Sequence, residues 1–427
     1  MSLTRFSEAV VYQNVAEAVF PTATEARLFM AAPQIVIAGL DGGAPMNVVA
    51  TYAFNEETRA LYAQDRESLV HRVVRIIPPE GVDARRLTDV VADARPRPLL
   101  VPATDPLLGT GETSDAAPRQ WYHSRCNTRR LWHDTTGQDV IIAVIDWGFF
   151  TGHDDFNGRI DRVKNFMNFG SANGGGDLSH GTGSAGIAGA ALNGRGIVGG
   201  APDSLLWLLR AGLINQGSVA PEPDYDPWAS AIAWAAGAQA DRRVVILVEA
   251  QAADGTPVDQ SPAISAAIEV AAGQGAIVCL PAGNGERSID NLKGAKAETC
   301  VIVGATAYSA DPRNLRLRDS NWGERISVSA PGDPRQDLTC AVNGSHTPFF
   351  GRTSGATAKV AATAALMLQV NPRLTPAQAI SIFSSLPDGR IETETGRPCG
   401  RFLDSLEAVE AARTAKAAQA LWWEKHP

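Results

Sequence analysis

Five short segments in the second part of the chain are almost wholly apolar: DVIIAVID, SLLWLLRA, RVVILVEA, AIVCLPAG and TCVIVGA. They do not alternate apolar with polar residues, so each reads as a strand buried on both faces rather than one with a wet side. Ala-rich helical stretches separate them, among them WASAIAWAAGAQA and SPAISAAIEVAAG. An apolar strand followed by a helix, repeated, has one economical packing: a mostly parallel sheet covered by helices on both faces, the α/β class. In such folds functional side chains gather beyond the carboxyl ends of the strands.

The 427 residues exceed one average domain and suit a large α/β domain beside a smaller one. Lys and Arg number 38 against 46 Asp and Glu, a formal charge of −8, which gives no electrostatic basis for holding nucleic acid. The first twenty residues are broken by Arg5, Glu8, Gln13, Asn14 and Glu17, so they lack the apolar run of a secretory signal. No later stretch approaches the roughly 20 apolar residues of a membrane span. The five cysteines, Cys126, Cys279, Cys300, Cys340 and Cys399, contain no CxxC pair, which argues against a disulfide framework and a zinc site. A cytoplasmic protein without membrane or nucleic-acid partners is the expectation; nothing in the sequence selects an oligomeric state.

Residues 98–120, PLLVPATDPLLGTGETSDAAPRQ, pass from an apolar run into linker composition, which places a domain boundary near Thr113. Residues 1–113 then form a small α+β domain and residues 114–427 the larger one. In the first, QIVIAGL, MNVVATYAF, HRVVRII and PLLVPA read as strands and VDARRLTDVVADAR as an amphipathic helix. This domain carries no cluster of nucleophile, base or ligand residues, which points to a regulatory or structural part.

In the larger domain the stretch HGTGSAGIAGA, His180 to Ala190, contains G-x-G-x-x-G and opens with a histidine. A dinucleotide fingerprint needs a strand running directly into its first glycine. Here the loop-like GSANGGGDLS precedes it, so a nucleotide-dependent oxidoreductase is the weaker reading and His180 the residue of interest. Three further positions offer it partners. VIIAVIDWG ends an apolar strand in Asp146, where a buried carboxylate can hold an imidazole; the plain alternative is a strand-end aspartate capping a turn. AIVCLPAGNG carries Asn284 just past a buried strand, as an oxyanion donor or an ordinary left-handed turn residue. FFGRTSGATAKVAATAALMLQV sets Ser354 at the start of a long Ala-rich helix, as a nucleophile or a capping serine. G-x-S-x-G does not occur, which weakens a lipase or esterase reading.

Taken together, V-I-D-x-G at Asp146, H-G-T at His180, A-G-N at Asn284 and T-S-x-A-T at Ser354 resemble the subtilisin-like serine proteases, the subtilases of peptidase family S8. The order Asp, His, Ser agrees with the family, as do GIVGGAPDSLLWLLRA and SNWGERISVSAPG, and the likeness runs from about Trp121 to Ala411. The H-G-T motif points away from sedolisin-type relatives. The resemblance implies a three-layer α/β/α fold with a mostly parallel central sheet, and serine endopeptidase activity on a polypeptide substrate through an acyl-enzyme. It makes Ser354 the nucleophile, His180 the base and then acid, Asp146 the residue that orients His180, and Asn284 the oxyanion donor beside the Ser354 amide. It further implies a substrate-binding role for Leu247, Val248, Glu249 and Ala250 on one strand end and Pro281, Ala282 and Gly283 on another.

No cofactor is required for this chemistry. Structural calcium is frequent in the family, and Asp154 and Asp155 lie in a fitting region, although two adjacent acids are far short of the six to eight oxygen ligands that calcium takes. The sequence departs from the family at Arg352, where glycine is usual, at Ala358, where proline is usual, and at Gly183, which replaces a frequent second histidine. LVEAQ stands where many members have S-L-G, so Glu249 and Gln251 either point to solvent or alter a subsite, Glu249 then attracting basic side chains. These departures motivate the alternative of an idle subtilase-fold protein that binds peptides or partners. The N-terminal domain, by analogy with subtilase pro-domains, is expected to bind the larger domain in cis and inhibit it, with processing between Pro102 and Gln120; a permanent accessory domain is the alternative.

Overall fold

The computed structural model describes residues 120–167, 178–194, 196–212, 227–238, 243–252, 254–260, 262–292, 294–309, 314–387, 391–392 and 397–425, together with five strands among residues 1–77. By its internal contacts the chain divides into two compact units, Met1–Thr104 with Trp132–Asp134, and Asp105–Leu131 with Thr135–Pro427.

In the first unit the strands Leu3–Phe6, Ala9–Tyr12, Val15–Val19, Val73–Ile77 and Val49–Tyr52 form an antiparallel sheet in that spatial order. The last two lie within HRVVRII and MNVVATYAF. The first three were not expected from sequence, since runs of four or five residues carry too little periodicity to separate them from loop. QIVIAGL, the helix over 82–95, PLLVPA and the linker up to residue 119 lie outside the described residues.

The second unit is built on a wholly parallel eight-stranded sheet. Its strands are β1 (Val140–Asp146), β2 (Ile160–Asn165), β3 (Leu205–Arg210), β4 (Arg243–Val248), β5 (Ile277–Pro281), β6 (Cys300–Thr306), β7 (Val328–Pro331) and β8 (Arg401–Phe402), in the spatial order β8-β7-β6-β5-β4-β1-β3-β2. Each of the five apolar segments named above supplies one strand. The longer described helices are α1 (Ser179–Gly189), α2 (Pro227–Gly237), α3 (Pro262–Gly273), α4 (Arg352–Val370), α5 (Pro376–Ser384) and α6 (Ser405–Lys425).

Side chains alternate across the sheet and thereby make two cores. Ile142, Val144, Leu206, Leu208, Val245, Leu247, Cys279 and Val301 face α1 and α4, whereas Ile141, Ile145, Trp207, Val244, Ile246, Val248 and Leu280 face α2 and α3. The result is the three-layer α/β/α arrangement that the strand–helix alternation implies. Alanine and glycine dominate α1 and α4 because both helices lie flat on the sheet and on each other. Gly189, for example, lies where a Cβ would meet Leu206 at 2.8 Å, and in the loop after α1 a Cβ at Gly200 would meet Ala362 of α4 at 2.7 Å. Among the described residues no helix is long and apolar enough to cross a membrane.

Candidate active site

The carboxyl ends of β1, β4 and β5 are neighbours in the sheet, and α1 and α4 begin beside them. Asp146 is the last residue of β1 and is completely buried. Its Oδ1 accepts the Trp147 amide at 2.7 Å, which holds the carboxylate in one orientation. Its Oδ2 lies 2.8 Å from His180 Nδ1. An ionised carboxylate only accepts, so Nδ1 carries the hydrogen and Nε2 is left as an acceptor. Ser354 Oγ lies 3.1 Å from that Nε2, and its hydroxyl donates to it.

His180 is the second residue of α1. The helix is pinned at this end by Thr182, whose Oγ1 donates to the Leu178 carbonyl at 2.6 Å and accepts the Phe150 amide at 2.8 Å. Two aromatic rings flank the imidazole: Trp147 edge-on at 4.7 Å between centroids, and Phe350 at 5.3 Å. They shield the ring and leave about a quarter of the side chain exposed.

The glycines of the opening motif serve this packing rather than a phosphate. A Cβ at Gly181 would stand 2.3 Å from the Gly148 carbonyl oxygen, one at Gly183 2.7 Å from the Phe350 ring, and one at Gly186 2.6 Å from Thr339 Oγ1. Gly183 and Phe350 therefore belong together, because the space that a larger residue would fill holds the ring that covers His180.

Ser354 is the third residue of α4 and 8% exposed. The turn into the helix is tight: Gly351 has φ +150° and Arg352 φ +56°, a left-handed conformation where glycine is the less strained residue. Arg352 is held there by its amide, which donates to the Gly332 carbonyl at 2.5 Å, and its guanidinium lies 3.5 Å from Asp319. Ala358 is buried inside an unbroken helix, where alanine is the best helix former. A buried ion pair braces the same turn: Lys359 Nζ donates to Asp337 Oδ2 at 2.6 Å and to the Gly355 carbonyl at 3.0 Å. Burial raises the Asp337 carboxyl to about 6, and the Lys359 charge limits the rise.

Asn284 follows β5 after Gly283, which takes the positive φ of the turn at +90°. Its Oδ1 accepts the Thr353 amide at 3.1 Å and the Thr353 hydroxyl at 3.0 Å, so the carboxamide is locked with its NH2 group on the other side. There Nδ2 and the backbone N–H both donate to Gln251 Oε1, at 2.8 and 2.9 Å. Sequence reading missed Thr353, Trp147 and Phe350 as parts of the site, and for Gln251 it left solvent and an altered subsite open, whereas the side chain binds Asn284. The threonine preceding the serine and the aromatic residues beside Asp146 and Gly351 were the available signals.

A cleft of about 380 Å³ opens here, bordered by His180, Ser354, Asn284, Ala250, Gln251 and Pro281 among others. Leu247 and Val248 do not reach it. They are the last two residues of β4, fully buried, one in each core, because both still point from the sheet into the helix layers that cover it. Ala282 is likewise fully buried, and Gly283 is buried with its turn. Both sequence-level alternatives for the Glu249 side chain need correction. It does not point to solvent, nor can it meet a basic substrate side chain, because it is 0% exposed beneath the triad. Burial pushes its carboxyl up from 4.5 to about 8, a rise countered by His180, Ser354 and Ser184 and reinforced by Asp146.

Of the two acids considered for calcium, Asp154 is exposed and Asp155 is engaged within the protein. Asp155 Oδ2 accepts the Ile197 amide at 3.0 Å and His346 Nε2 at 2.8 Å. His153, Asp155 and Cys340 bring ligand-type atoms within 4.8 Å of one another. However, His153 accepts the Asp155 amide at Nδ1 (3.1 Å) and donates from Nε2 to the Ser345 carbonyl (2.8 Å). Burial holds the Cys340 thiol well above its ordinary value. A histidine with both nitrogens committed and a protonated thiol do not fit a metal ion.

A carboxylate, an imidazole and a hydroxyl in hydrogen-bonded series, with a side-chain amide nearby, define the geometry of a serine hydrolase. The model of the subtilase family matches residues 137–386, more than half of the chain, and the chain belongs to that family of serine proteases. It is 32% identical over 251 residues to subtilisin of Bacillus pumilus, which covers 57% of this chain and 82% of that protein. The same identity and length hold for subtilisin E of Bacillus subtilis (strain 168), of which 59% is spanned. An intracellular serine protease of Paenibacillus polymyxa is 30% identical over 252 residues, 56% of this chain and 70% of that one. Among solved structures, a cold adapted subtilisin-like serine proteinase matches with TM-score 0.51 and 26% identity over 64% of this chain and 90% of its own. Sphericase matches with TM-score 0.54 and 25% identity over 63% and 92%.

Proposed function

We propose that the chain is a serine endopeptidase in which Ser354 attacks a peptide carbonyl while His180 Nε2 takes its proton. Asp146, bound to His180 Nδ1, holds the ring and stabilises the imidazolium that forms. Negative charge developing on the carbonyl oxygen meets the Asn284 amide and the Ser354 backbone N–H at the start of α4, where the helix dipole also favours an anion. His180 then gives its proton to the leaving amine, and the acyl group on Ser354 is hydrolysed by water that His180 activates. The residues following β4, from Glu249 to Gln251, and the end of β5 at Pro281 offer backbone for an extended substrate to pair with. One observation carries the reading: the unbroken series Ser354–His180–Asp146, with distances of 3.1 and 2.8 Å. The same series gives no support to an idle binding protein. Likeness to an intracellular serine protease accords with a cytoplasmic location, which belongs to this proposal.

The N-terminal unit is proposed to inhibit the larger one in cis until the linker near Thr113 is cut. Incubating an unfolded protein with the wild type and with Ser354→Ala, and reading all termini by mass spectrometry, tests both statements. Internal cleavage by the wild type alone, with its own chain trimmed near residue 113 and the variant intact, is expected. Cleavage by both, or by neither after the N-terminal unit has been removed, overturns the endopeptidase reading, and a fully active chain retaining Met1 overturns the inhibitory role.

A further inference from the structure

Glu249 directly follows β4 and is completely shielded from solvent, yet it borders the cleft together with His180 and Ser354. Its amide donates to the Ile145 carbonyl at 3.0 Å, which fixes the residue next to Asp146. Neither carboxyl oxygen has a well-formed hydrogen bond; the hydroxyls of Ser354 and Ser184 lie within its influence without that geometry. The groups facing it are Asp146 at the end of β1, His180 and Ser184 on α1, Ser354 on α4 and Cys279 on β5. The Cys279 thiol is itself kept protonated by burial, by Cys300 and by Glu249. A buried polar group without a partner is costly, and a buried unpaired charge is more so. The triad chemistry described above makes no use of another acid.

The charge state of this carboxyl matters to its neighbours in three ways. As an anion it would compete with His180 for the Ser354 hydroxyl hydrogen. It would be a second negative charge beside one imidazole, keeping His180 protonated and unable to act as a base. It would also oppose the oxyanion in a pocket where charges are poorly screened. As a neutral acid it does none of these.

We propose that Glu249 is a positioning residue acting through Ser354 and His180, and that the competent enzyme carries it as the neutral carboxylic acid. This rests on the reading of Ser354 as nucleophile. Because burial raises the group to about 8, nucleophilicity is expected to fall above that pH as the proton is lost to solvent.

The test is the rate constant for labelling of the full chain by a fluorophosphonate between about pH 6 and 10, corrected for reagent hydrolysis, in the wild type, Glu249→Gln and Glu249→Ser. The wild-type rate should fall about tenfold for each pH unit above the midpoint, as a single ionisation requires. Both variants should hold their rate to the alkaline end, Glu249→Ser serving if the glutamine variant does not fold. A merely structural role would scale the rate equally at every pH. An identical alkaline fall in the variants, or a wild-type rate that stays flat, overturns the proposal alone. A wild type that labels at no pH, also once the N-terminal unit has been removed, overturns the nucleophile reading and this proposal with it.

Discussion

Replacing Glu249 by glutamine should change the pH dependence of stability in a way that can be worked out from its surroundings. The carboxyl is 0% exposed, and its burial raises it from 4.5 in the unfolded chain to about 8 in the fold. Below pH 4.5 both states hold the proton and the group contributes no pH dependence. Between 4.5 and about 8 the unfolded chain releases the proton while the native state keeps it, so rising pH favours unfolding. Above about 8 both states are ionised and the penalty is constant. At about 1.4 kcal/mol per pH unit, the interval amounts to about 5 kcal/mol. A glutamine of nearly the same shape has no proton to lose and escapes this penalty. Urea unfolding of the chain with Ser354→Ala, which prevents self-digestion, measures the effect with and without Glu249→Gln. The Ser354 hydroxyl favours the anion, so removing it raises the carboxyl further and does not hide the result. The stability gap between the two proteins should widen in favour of glutamine as pH rises from 4.5 through 8 and level off only above that, where the carboxyl raised by the loss of Ser354 is itself ionised. Two curves that run parallel across that range would refute the buried-acid argument.

Asn284→Ala should lower kcat by about 100- to 1,000-fold with a small effect on KM, the range known for loss of one such donor from a subtilisin, measured on a peptide that the wild type cuts. Lys359→Met leaves Asp337 buried without its cation and should cost about 3–5 kcal/mol in urea unfolding. Gly181→Ala places a Cβ 2.3 Å from the Gly148 carbonyl oxygen, so α1 must shift; Ser354 labelling should slow by about 100-fold, the scale of a misplacement of about 1 Å.

Much of the larger domain was legible because its information is local. β1 to β6, apart from β2, are apolar on both faces, and Asp146 and Asn284 announce themselves as polar residues just where such strands end. β2, IDRVKN, was missed because it lies at the sheet edge with a half-exposed, charged sequence that carries no buried-strand signature. The tertiary placement of Glu249 was not legible. A glutamate one residue past a strand is ordinarily solvated, and only the packing of α1 and α4 over that point makes it a buried acid. Gln251 stood out as an unusual polar residue, but its bonds to Asn284 were hidden, since they span 33 positions. Leu247 and Val248 were assigned to the cleft by likeness to a neighbouring motif, whereas strand periodicity alone places them in the two cores.

The central claim is that Ser354, activated by His180 and Asp146, is a nucleophile. Fluorophosphonate labelling of the wild type and of Ser354→Ala, with the modified peptide located by mass spectrometry, addresses it directly. One adduct on Ser354 in the wild type and none in the variant is the expected result. An adduct on another residue, or no adduct on the wild type once the N-terminal unit has been removed, would contradict the claim.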